Sequence, residues 1–228
     1  MGNRGWLWKG GLLLGAGVIF WAVGQAVNPS DGDTEFQKTW EATKQLKSFR
    51  GAYSESTSHS ERVWEVDCNR VMVHEQSHFE NGGDSPFDMK QDELLVGDQR
   101  YTREGGGSWQ NVGYAGDRGS AKWYCDNLAR GTMSDLLPDM LTLIRHAMTE
   151  KGSKKAVNGV QCREWKFAIK GAVTGTQPGS VCIGVDDHLP YEMTMEGGGH
   201  FTYSDYNRPI QFDAPEAILQ TAGSAGGN

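Results

Sequence analysis

The run His74-Glu75-Gln76-Ser77-His78 carries the residue types and spacing of a zinc-peptidase signature. On a helix, HExxH sets two imidazoles on one face as zinc ligands and leaves the glutamate as general base for attack by water. The chemistry requires a helix, and the local sequence offers one between Asn69 as cap and Gly82 as stop. Against it, Val71, Val73 and Phe79 share strand parity, and Asn81 stands where the longer metalloprotease signature needs glycine. No third ligand stands out either: His146 falls inside a predicted helix, His188 in a turn and His200 at the start of a strand. The expectation is a strand over 74–78 with no metal at His74 or His78, and zinc peptidase chemistry is the minor alternative.

Other chemistry-bearing groups read more simply as structure. Asp186-Asp187-His188 precedes Leu189-Pro190 as ordinary turn sequence. The glycine runs 105–107 and 197–199 lack the strand-to-helix setting of a phosphate loop and read as hairpin turns. No cofactor is expected and no catalytic residue is assigned. Cys68, Cys125, Cys162 and Cys182 allow three pairings. Strand parity selects one. Trp165, Phe167 and Ile169 share a face that leaves Cys162 on the other; Val181, Ile183 and Val185 do the same for Cys182. These two sulfurs meet across a hairpin, and by elimination Cys68 pairs with Cys125. With no C-x-x-C spacing, thioredoxin-type redox chemistry lacks support.

The elements that must position these residues follow from periodicity. Thr34 and Gln37 form a capping-box pattern opening a helix to about Ser48, with Phe36, Trp40, Thr43 and Leu46 facing inward. Strands are expected over 51–57, 61–67, 70–80, 89–96, 99–103 and 108–112, then a helix over 121–130. Residues 134–151 form an unusually oily helix, with Leu137, Leu141, Ile144 and Met148 on one stripe and more apolar residues beside it, a face too broad for a surface helix. Strands resume over 154–157, 161–170, 181–186, 189–196 and 200–206. The fold class is α+β: a strongly curved antiparallel sheet, an incomplete β-barrel, closed by α-helices over an apolar interior. Trp40, Trp64, Tyr101 and Trp109 are candidates to line that interior, as are Trp165, Phe167, Met193 and Phe201. With the oily stripe they define a candidate cavity for a lipid-like ligand.

Residues 10–27 are apolar, preceded by Arg4 and Lys9 and followed by Asp31, Asp33 and Glu35, the pattern of a signal peptide or single membrane anchor. The expected location is extracytoplasmic and periplasmic. A linker over 28–33, one domain over 34–219 and a disordered tail over 220–228 complete the organisation. The formal net charge of −7, with no basic stripe, argues against nucleic acid as partner.

The run 93–110 (ELLVGDQRYTREGGGSWQ), two helices, and the closing phrase over 184–218 (GVDDHLPYEMTMEGGGHFTYSDYNRPIQFDAPEAI) resemble the LolA/LolB and mycobacterial LppX/LprG superfamily of envelope lipoprotein and lipid carriers. The resemblance spans about 34–219. It implies an incomplete barrel closed by helices over a cavity for acyl chains. The implied function is a carrier for a lipid or lipoprotein acyl chain, or an envelope sensor or scaffold whose partner is an envelope membrane protein.

Overall fold

The computed structural model describes residues 30–56, 59–81, 87–117, 119–130, 148–171 and 175–220. The apolar run 10–27, the stripe residues Leu137, Leu141 and Ile144, and residues 221–228 lie outside the described residues. Among those described, no helix is long and apolar enough to cross a membrane.

Eleven antiparallel strands form one open sheet: β1 (Ser48–Glu55), β2 (Ser60–Asp67), β3 (Met72–Asn81), β4 (Phe87–Val96), β5 (Gln99–Glu104), β6 (Gln110–Tyr114), β7 (Met148–Val157), β8 (Val160–Gly171), β9 (Gly175–Gly184), β10 (Pro190–Met195) and β11 (Gly199–Ser204). Their order is β6-β5-β4-β3-β2-β1-β11-β10-β9-β8-β7, two meanders joined where β1 pairs with β11. Among the described residues the helices are minor beside this sheet: α1 (Asp31–Lys44), α2 (Ala121–Arg130) and the single-turn α3 (Glu216–Leu219).

Three corrections concern helix ends. α1 begins before Thr34, because Ser30 caps it: the Ser30 hydroxyl accepts from the Asp33 N–H at 3.1 Å, and Asp33 accepts in return from the Ser30 N–H at 3.2 Å. Thr34-x-x-Gln37 is therefore inside the helix. It also ends sooner than expected, and Ser48 opens β1. Of the helix expected over 134–151, the part from Met148 onward is strand instead: Met148 starts β7 and pairs with Phe167 of β8. A ladder that pairs seven residues of β7 with a long partner strand outweighs helical propensity over 148–151.

The helices show that the sheet bends. α1 packs on β7, α2 packs on β3, and the two helices touch. Seven strand spacings separate β3 from β7, about 34 Å in a flat sheet, whereas two helices side by side span about 20 Å. The approach of α1 to β7 needs Gly32, since a Cβ there would stand 2.4 Å from the Met148 carbonyl oxygen.

Each face has its own core. On the inner face Phe49, Trp64, Val66, Val73, Leu95, Trp165, Phe167, Val181, Ile183, Met193 and Tyr203 are buried with Phe36 of α1. On the outer face the segment after β11 crosses β3–β5, and Ile210 and Phe212 bury Met72, Leu94, Val96 and Tyr101. The disulfides are Cys68–Cys125, closing 57 residues and tying the end of β2 to α2, and Cys162–Cys182, closing 20 residues across β8 and β9. By loop length they constrain the unfolded chain by about 4 and about 3 kcal/mol.

Candidate functional site

Cross-strand register assembles the inner surface row by row. One row runs Tyr203, Gly51, Trp64, Glu75, Glu93, Thr102 across β11, β1, β2, β3, β4 and β5. A neighbouring row runs Phe49, Val66, Val73, Leu95, Arg100. On the other side lie Phe201, Tyr53, Arg62 and Ser77. Gly51 lets the rings beside it close in: a Cβ there would stand 3.2 Å from Trp64 and 3.3 Å from Tyr203.

These rows and α2 enclose a cavity of about 90 Å³ lined by Arg62, Trp64, Val73, Glu75, Glu93, Leu95 and Tyr124. Trp64, Val73 and Leu95 make an apolar floor, Tyr124 of α2 stands over it, and Arg62, Glu75 and Glu93 form a charged rim. Ser77 donates to Glu75 Oε1 at 3.0 Å, while the Arg62 guanidinium is 4.0 Å from the same oxygen and lies over the Phe79 ring at 5.3 Å. Arg100 Nε is 3.3 Å from Glu93 Oε1, yet its N–H is buried and meets no hydrogen-bond acceptor. Burial lifts the Glu93 carboxyl above its ordinary range; Arg100 pulls it down and the facing Glu75 pushes it up again. Half-buried Tyr53, Phe201 and Met195 continue the apolar surface toward β10, the first two with rings 4.6 Å apart.

The structure divides the expected lining residues. Trp64 borders the cavity, and Phe201 lies along its apolar extension. Met148 (β7), Trp165, Phe167 and Met193 lie on the same face but fill the core under α1, with exposures of 5%, 3%, 2% and 3%. Trp40 is half-buried on α1 and stacks on Phe36 at 5.9 Å. Tyr101 and Trp109 are on the outer face: Tyr101 lies in the second core, and Trp109 sits under the Arg103 guanidinium with its indole N–H donating to the Asp213 carbonyl at 3.2 Å. A single cavity cannot hold both sets.

The HExxH run is strand β3, as its parity indicated. His74 and His78 point to the outer face and Glu75 to the inner one, and four residues of strand hold the imidazoles about 13 Å apart. His74 is buried, its Nδ1 3.0 Å from Glu65 Oε2, with Trp109 and Phe212 against the ring. Among the described residues no group of three or more His, Cys, Asp or Glu converges as metal ligands would. Asp187 is a turn residue, accepting from the Leu189 N–H at 3.1 Å and from the Tyr191 hydroxyl at 2.5 Å. His188 reaches Glu35 of α1 at 2.8 Å, and His200 reaches Glu192 at 3.2 Å.

Of the cavity's lining residues, Arg62, Val73, Glu75, Glu93, Leu95 and Tyr124 were not among those expected from the sequence. One signal was present: Glu93 shares parity with Leu95, which puts a carboxylate on the same face as a core side chain.

No protein-family model and no curated protein sequence matches the chain. Solved structures with some similarity include MucB in complex with MucA(peri), 16% identical with a TM-score of 0.33, covering 78% of this chain and 55% of that one. The Pseudomonas aeruginosa MucA/MucB complex is 17% identical with a TM-score of 0.36, covering 84% and 61%. An uncharacterized conserved protein from Thermus thermophilus is 8% identical with a TM-score of 0.39, covering 84% and 93%. The chain thus spans between half and two thirds of the length of the first two. Likeness at this level fixes neither a family nor a function.

Proposed function

We propose that the chain is an extracytoplasmic binding protein that takes a lipid or acylated ligand on the inner face of its sheet. The observation that carries this is the cavity between β2–β4 and α2, which joins an apolar floor to a charged rim and so matches an amphiphile. The space equals about three waters, enough for the junction of head group and chain. The rest of a chain would follow half-buried Tyr53, Phe201 and Met195, gaining about 0.8 kcal/mol per buried methylene. Two disulfides in one domain and the apolar leader over 10–27 support an oxidising compartment outside the cytoplasm. The resemblance to lipid carriers points the same way. Binding rather than catalysis is supported by the strand under His74 and His78, which turns Glu75 away from both.

A second reading, an envelope scaffold for a membrane protein partner, is favoured by the filled packing of Trp165, Phe167 and Met193. Native mass spectrometry of the gently purified protein separates the two. Co-purifying acylated mass and uptake of a fluorescent fatty-acyl probe are expected, with uptake at least about fivefold weaker in Val73→Phe, which fills the floor. A lipid-free protein that takes up no probe would support the scaffold instead.

A further inference from the structure

We propose that the Cys68–Cys125 disulfide is a reducible latch on the roof of the cavity, a site of thiol–disulfide exchange at which a dithiol releases α2 and lets an amphiphile in. That the bond holds α2 and can be reduced in the folded protein stands on geometry and access. That its release admits a ligand rests on the amphiphile reading above.

The cavity needs a roof that moves. Its volume of about 90 Å³ is well below the roughly 300 Å³ at which pockets begin to enclose a whole small ligand. Tyr124 of α2 stands over the floor of Trp64, Val73 and Leu95. The next residue along the helix is Cys125, whose bond to Cys68 at the end of β2 holds the two Cα atoms 5.4 Å apart. While that bond is closed, α2 cannot carry the neighbouring ring off the floor.

The helix is built to hinge at its start. Ala121 is fully buried and donates its N–H to the Gly97 carbonyl at 2.8 Å, and the Ser120 hydroxyl accepts from the Trp123 N–H at 3.1 Å. One turn further on, the disulfide ties the helix to the sheet, while Lys122 and Asp126 pair with each other at 2.8 Å on the solvent side. Opening the disulfide therefore leaves the first turn anchored and frees the turn that carries Tyr124.

The two disulfides differ in access. Cys162 and Cys182 are buried, at 0% and 1% exposure, whereas Cys68 and Cys125 are both half-buried. An attacking thiolate must reach a sulfur, so access selects Cys68–Cys125. One thiolate of the dithiol attacks one sulfur of the pair, forming a mixed disulfide and expelling the other cysteine as a thiolate, which takes up a proton. The second thiol of the dithiol then displaces the first cysteine in the same way. The dithiol is oxidised to a disulfide, and its two electrons and two protons end on Cys68 and Cys125.

The test exposes the full chain, with both disulfides formed, to dithiothreitol without denaturant, then alkylates and maps the free thiols. Cys68 and Cys125 are expected to be alkylated at least about tenfold faster than Cys162 and Cys182. In the same reduced protein, amide hydrogen exchange over α2 is expected to rise at least about tenfold while β8–β10 keep their protection. Uptake of a fluorescent fatty-acyl probe is expected to quicken about fivefold. Cys68→Ser combined with Cys125→Ser is expected to match the reduced protein in exchange and uptake; should that variant fail to fold, the reduced wild type decides alone. Equal alkylation of all four cysteines, loss of protection in β8–β10 along with α2, or unchanged exchange over α2 overturns the latch. Faster exchange with the same uptake rate in both states overturns its control of entry and leaves the amphiphile reading standing. Faster exchange with no uptake in either state overturns the amphiphile reading, and the role in entry with it, while the reducible tie on α2 stands.

Discussion

His74 joins two layers of the outer face. Its Nδ1 meets Glu65, which also accepts from Arg50 at 2.8 Å, and Arg50 reaches on to Asp205 at 3.0 Å. Glu65 is held below its ordinary range even though burial pushes it up, because hydrogen bonds from His74 and Arg50 outweigh that cost. Removing the imidazole would open a void beneath Trp109 and Phe212 and leave part of a half-buried carboxylate unpaired. His74→Ala is therefore expected to cost about 2 to 4 kcal/mol in urea unfolding. His78→Ala, at the outer surface of the same strand beside Glu80, should stay within about 0.5 kcal/mol. Equal losses for the two, reversed by zinc, would restore the peptidase reading. The same alternation explains why a five-letter motif misleads: on a helix its two histidines converge, on a strand its glutamate changes sides.

At the scale of elements, the segment after β11 works as a strap. Ser48 donates to the Arg208 carbonyl at 2.6 Å, Arg70 donates to the Ile210 carbonyl and lies over the Phe212 ring at 4.9 Å, and Arg103 donates to Asp213 at 2.8 Å. Ile210→Ala with Phe212→Ala should lower unfolding free energy by about 3 to 6 kcal/mol and raise binding of a hydrophobic dye, because Met72, Leu94, Val96 and Tyr101 lose their cover. An unchanged denaturation midpoint would show that the strap adds little to the core. Most of the strands, the span of α2 and both disulfide pairings were legible in the sequence, since alternation and cysteine parity are local properties. The strap and its core were not. Leu94-Leu95-Val96 signals burial on both faces, but only the register of β3, β4 and β5 shows that Tyr101 belongs to the side away from Trp64, where Trp109 also packs. Met148 was misplaced for a related reason: helical periodicity over 134–151 is blind to a partner strand that begins at residue 160.

For the whole molecule, an open sheet bent around its helices leaves one face with two characters. Toward β7–β10 it is a filled core under α1; toward β2–β5 it carries charged groups above an apolar floor. The charged rim was hidden from sequence because Arg62, Glu75 and Glu93 come from three strands, and each alone reads as a solvated residue. Photo-crosslinking with a phospholipid bearing a photoreactive acyl chain, followed by peptide mapping, tests the inner-face site most directly. Labels are expected on Trp64, Val73, Leu95 or Tyr124, with weaker labelling along Tyr53 and Phe201. Absence of any label, or labels confined to Trp109 and the strap around Ile218 on the outer face, would contradict a binding site on the inner face.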